Sequence, residues 1–183
     1  MGYEVALNKA WRDLANLKAP KNLSVKFLAE EYSVDSVAEK IFSLSSQAPA
    51  KDFLSILILH YAAQSLKNLP ALSNQWLTFR ELSGLEGYYD AYQARSIEPI
   101  IRKYGSNPDA LKEVLNRLPG KLSEGGDISI VLEVFAQVPV LIKFWKADAE
   151  FGPDANMYFD ASLKNIFCTE DIVVLAQLVA DQL

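Results

Sequence analysis

An α+β architecture follows from three features of the sequence. Apolar residues recur at helical spacing in several blocks, they alternate with polar residues in two separate runs, and the regular βαβ succession that builds a parallel sheet is missing. The expected fold is one domain over residues 1–183, with a mixed or antiparallel sheet made from an N-terminal hairpin plus C-terminal strands, packed with about five helices. Of the 183 residues, 50% are hydrophobic and 22% charged. That is enough for a packed core, and it excludes a disordered chain.

Tyr3, Leu7, Trp11, Leu14 and Leu17 share one helical face that ends before Pro20. The period then drops to two. Val25 and Phe27 alternate with Ser24 and Lys26, and Tyr32 and Val34 with Ser33 and Asp35, which predicts a hairpin with Phe27 and Tyr32 toward the core. Residues 36–44 read two ways: Ser36 with Glu39 fits a capping box, while Val37, Ile41 and Phe42 fit a further strand. Helical spacing returns from Asp52 to Leu66, and a loop follows from Pro70 to Asn74.

Trp76 to Phe79 is β-prone and leads through Ser83-Gly84 into a long helix from about Gly87 to Tyr104. Asn107-Pro108-Asp109 starts another helix, since proline in a first turn loses no needed hydrogen bond, and Pro119-Gly120 stops it. Past Gly125-Gly126, Ile128 to Phe135 and Val140 to Trp145 are expected strands, with Pro139 marking an edge or a bulge between them. Asn156 to Asp160 is a third. Thr169 is expected to cap a last helix that turns Ile172, Leu175, Val179 and Leu183 inward.

A net charge of −5 opposes approach to phosphate backbones, and Arg102-Lys103 is the one adjacent basic pair. No nucleic-acid partner is expected. The most apolar helical stretch, Phe53 to Ala63, is shorter than the roughly 18 residues a membrane span needs. No membrane association is expected either, and the absence of a leader-like start points to the cytoplasm. A single cysteine, Cys168, allows no internal disulfide and no cysteine-only cluster. Gly84 and Gly87 lack phosphate-loop spacing, so no cofactor is expected.

Asp148 and Glu150 lie two residues apart near a strand end. A continuing strand would put both on one face, with Asp160 near enough to complete a Mg²⁺ or Ca²⁺ site or an acid/base pair. Otherwise such acids cap turns. His60 falls on the apolar face of its helix, as a core histidine or as a catalytic one. Arg80 and Arg95, near Glu81 and Glu98, read as an ion-pair network or as an anion clamp. Cys168 precedes a helix, which lowers a thiol pKa, but Glu170 and Asp171 oppose a thiolate there. Trp76, Tyr88, Tyr92 and Trp145 are candidate walls of a binding groove.

Taken in order, Leu59-His60-Tyr61, Trp76, Phe79-Arg80-Glu81-Leu82, Gly87-Tyr88, Arg95, Pro99, Asp127, Val138-Pro139, Trp145, Asn156, Phe159-Asp160 and Thr169-Glu170-Asp171 form a series. It resembles the uncharacterised bacterial and archaeal family known as domain of unknown function 3786, from about residue 6 to the C-terminus. Where that pattern reads Gly-Asp-Glu-Glu-Phe, this chain has Ala147-Asp148-Ala149-Glu150-Phe151, one acid fewer. The resemblance implies an association with an iron–sulfur domain of the type found with corrinoid proteins, and one cysteine leaves such a cluster to a separate partner. It implies no catalytic residues.

Three functions follow as expectations. The first is a non-catalytic binding or interaction module whose partner is another protein, favoured because no nucleophile, metal or nucleotide motif stands out. The second is a small metal-assisted enzyme using Asp148, Glu150 and Asp160 on an anionic substrate. The weakest is an accessory to a corrinoid or iron–sulfur system.

Overall fold

Pro70 ends the first of two compact units, Met1–Pro70 and Ala71–Leu183, and the computed structural model describes residues 2–83 and 86–183. In the first unit, α1 (Glu4–Asn16) buries Ala10, Trp11 and Leu14, the middle of the stripe its spacing predicts, leaves Tyr3 exposed and Leu7 and Leu17 half-buried, and packs on α2 (Asp52–Leu66). Helix α2 has no stripe. It is buried nearly all round from Leu54 to Ala63, and His60 is a less buried position within that run.

Strands β1 (Asn22–Phe27), β2 (Glu30–Asp35) and β3 (Lys40–Ser43) form an antiparallel sheet in chain order. The hairpin is as expected: Phe27 is buried and Tyr32 half-buried, opposite Val25. The ambiguous segment is a strand and not a capped helix. Asp35 Oδ1 accepts from the N–H groups of Val37 and Ala38 and turns the chain back, while Ser36 Oγ donates to Pro20 O at 3.0 Å.

The second unit holds a five-stranded antiparallel sheet in the order β4-β8-β7-β6-β5. Its strands are β4 (Trp76–Thr78), β5 (Gly120–Leu122), β6 (Ile128–Phe135), β7 (Val138–Trp145) and β8 (Asp154–Asp160). One face carries the core: Ile130, Leu132, Val140, Ile142, Phe144, Met157 and Phe159 are all fully buried.

Pro139 does not interrupt β7. It stands opposite Glu133, where the β6–β7 register shifts, and the Glu133 N–H turns away from β7 to donate to Pro119 O at 3.0 Å. A residue without an N–H costs nothing opposite a pair that exchanges no hydrogen bonds. Strand β5 lies where the sequence showed only a helix stop.

The helical stretch after β4 runs through α3 (Phe79–Ser83), whose following Gly84 lies outside the described residues. It continues as a 3₁₀ turn (Glu86–Tyr88), α4 (Tyr89–Tyr92), a π-helical turn (Gln93–Ile97) and α5 (Glu98–Tyr104). Helix α6 (Ala110–Glu113) is short and ends in a 3₁₀ turn. In α7 (Thr169–Gln182), Ile172, Leu175 and Val179 point inward as expected, with Leu183 buried beyond its end. Its N-cap is Cys168, one residue before the expected Thr169, because Asp171 at the third helical position accepts from the Cys168 N–H at 3.3 Å. Among the described residues no helix is long and apolar enough to cross a membrane.

Candidate functional site

Of the two readings of Asp148, Glu150 and Asp160, the structure does not bring the three acids together. Strand β7 ends at Trp145, so Asp148 and Glu150 lie in the β7–β8 loop and the premise of a shared strand face fails. Asp148 Oδ1 accepts from the N–H groups of Glu150 and Phe151, both at 2.8 Å, which holds its carboxyl below the usual range and uses it to close a turn. Asp160 sits at the opposite end of β8. Trp145 pairs with Asp154 and Trp76 with Asp160, and six residues of strand separate those points by about 20 Å. No group of three or more His, Cys, Asp or Glu able to hold a metal ion occurs among the described residues.

Asp160 is instead a buried latch, 4% exposed. Burial alone would raise its pKa. The Ser162 hydroxyl and N–H and the Ser73 N–H and hydroxyl outweigh that and hold it at about 2, and the Asn74 N–H donates to its other oxygen. These bonds tie the loop before β4 to the end of β8.

The four expected groove aromatics part company. Tyr92 is fully buried, stacked on Phe79 with ring centroids 4.3 Å apart, and its hydroxyl donates to Asn156 Oδ1. Burial pushes its phenol up. Tyr88 bonds Glu170 at 2.8 Å, and Trp145 lies half-buried at the far end of β7. Trp76 borders a groove.

His60 is half-buried on α2 in the first unit. Arg80 lays its guanidinium over the Tyr89 ring at 3.7 Å, and neither it nor the exposed Arg95 makes an ion pair among the described residues. Their expected network with Glu81 and Glu98 is therefore not seen; Glu81 accepts from the Thr78 N–H and hydroxyl instead. Burial first, and then Glu170 and Asp171, raise the Cys168 thiol to about 11. Burial and the acids together prevail over the helix terminus.

The groove that does exist measures about 580 Å³ and crosses the five-stranded sheet at one end. Leu72, Asn74 and Trp76 border it on one side and Gly120, Lys121 and Ser123 on the other; Val131, Glu133, Pro139 and Asp160 lie between. The register explains why these distant residues meet. The starts of β4, β5 and β7 and the ends of β6 and β8 all fall at this end of the antiparallel sheet. Leu72 and Trp76 are 38% and 37% exposed. A smaller groove, about 360 Å³, lies within the first unit beside Trp11, Ile41 and Phe42.

Sequence reasoning found Trp76 and Asp160 but missed Leu72 and Lys121, since nothing local announces a sheet end. A family model described as "Domain of unknown function (DUF3786)" matches residues 8–182. Among curated proteins and among solved structures, none matches the chain.

Proposed function

The chain belongs to the family of domain of unknown function 3786, and on that footing we propose that it is a non-catalytic binding module that holds a segment of another protein in the groove across its five-stranded sheet. The observation that carries this reading is the rim: Leu72 and Trp76 expose apolar surface beside a floor whose buried acid, Asp160, is fully occupied in holding that rim in place. Exposed aromatic and aliphatic side chains on a rigid support are what protein interfaces use as anchors. The groove crosses the sheet between its two edge strands, which suits an extended segment better than an enclosed small molecule. A reducing, cytoplasmic setting is part of the reading, in keeping with a free and exposed Cys168.

The test is a library of twelve-residue peptides displayed on phage and selected against the full chain. Selected peptides titrated against Trp76→Ala should bind about tenfold more weakly than to wild type, the loss usual for an anchor residue. Peptides that bind both proteins equally would overturn the proposal.

A further inference from the structure

The two edges of the five-stranded sheet differ in one respect: an outward N–H of β4 is taken up by a side chain, and among the described residues none of β5 is. On β4, Gln75 O accepts from Ala161 N–H, so Gln75 and Leu77 face β8 while Trp76 and Thr78 face outward. That outward Thr78 N–H is already bonded to Glu81 Oε2 at 2.8 Å. On β5, Pro119 O accepts from Glu133 N–H and Ser123 N–H donates to Ser129 O. Pro119, Lys121 and Ser123 therefore face β6, and the N–H and C=O groups of Gly120 and Leu122 face away from the sheet. All three β5 residues are exposed, and Leu122 is 59% exposed.

An open row of donors and acceptors is a template for one more strand. We infer that β5 receives an extended segment of the partner protein by strand addition, and that this segment carries an acidic residue opposite Lys121 with apolar residues on either side. This rests on the groove reading above and names its partner chemistry.

The register and the charge select the occupant. Lys121 lies on the groove face beside Val131 and has no ion pair among the described residues. A second copy would satisfy the outward groups of Gly120 and Leu122 by pairing β5 with itself about Lys121. That places two ammonium groups directly opposite, with Cβ atoms about 5 Å apart, an arrangement that destabilises. A carboxylate at that point attracts. The flanking residues of the added strand point to the other face, alongside Leu122 and over Gly120, where apolar side chains extend the core face.

The probe is the peptide acetyl-Ser-Thr-Val-Glu-Val-Thr-Ser-amide, with a counterpart carrying Lys in place of Glu, titrated into ¹⁵N-labelled full chain. The Glu peptide should shift the amides of Gly120, Lys121 and Leu122 and slow hydrogen exchange at Gly120 and Leu122. It should bind about threefold or more tightly than the Lys peptide, and Lys121→Glu should reverse that order. Shifts confined to Leu72 and Trp76 would overturn strand addition and leave the groove reading standing. Binding at β5 with no charge preference, or no binding by either peptide, overturns the inference as well. So do β5 shifts that appear on raising protein concentration alone, since these would make a second copy the occupant.

Discussion

Asp160 Oδ1 accepts hydrogen bonds at 2.9 Å from both the backbone N–H and the hydroxyl of Ser73, which joins the end of β8 to a loop 87 residues earlier. The loop carries the exposed Leu72 and leads into Trp76, so one carboxylate fixes the rim of the groove.

Its folded pKa of about 2 lies below the ordinary 3.8, so the carboxylate contributes stability that is fully present above pH 4 and is lost as pH falls toward 2. The shift corresponds to about 2 kcal/mol. Asp160→Ala should lower the melting temperature at pH 7 by roughly 4–8 °C, and its melting temperature should fall less than that of wild type between pH 4 and 2. Calorimetry across that range checks both.

Gly120 is irreplaceable for a steric reason. A Cβ built there would lie 2.4 Å from Val131 O and 2.9 Å from a Leu132 methyl, so alanine must push β5 off β6. Gly120→Ala should cost about 1–3 kcal/mol and speed hydrogen exchange at the β5–β6 amides more than at β7. Unchanged exchange at Lys121 and Val131 would show that the edge tolerates the methyl group.

Cys168 is exposed yet should be a poor nucleophile. With its thiol raised to about 11, almost none is thiolate at neutral pH. Iodoacetamide alkylation should be slow at pH 7.5 and climb up to about pH 11. Glu170→Gln should speed it by removing one of the opposing acids. Fast alkylation of wild type at pH 7.5 would contradict the assignment.

Most elements were legible where a period of 3.6 or 2 ran for six residues or more, as in α1, β6 and α7. Strand β5 was not, because three residues are too few to show alternation and Pro119-Gly120 already had a local explanation. The candidate site was less legible still. Asp148 and Glu150 look paired in sequence but close a turn, whereas Lys121 and Trp76 look unrelated and border opposite sides of one groove because an antiparallel register gathers strand ends. Tyr92 misled for a similar reason: an aromatic with a hydroxyl reads as a groove wall, and burial depends on which face of an irregular helix points inward.

That irregular helix supplies a last prediction. Ser96 lies in the π-helical turn Gln93–Ile97, fully buried, and its hydroxyl has no hydrogen-bond partner among the described residues. A serine in a regular helix turns its hydroxyl to the carbonyl four residues back, an outlet the widened turn does not provide here. The buried hydroxyl therefore carries its desolvation cost with nothing in return. Ser96→Ala should stabilise the protein by about 1 kcal/mol, a rise of roughly 2–4 °C in melting temperature. A fall of that size would instead mean that a bound water or a ligand uses the hydroxyl, since alanine removes little else from the site.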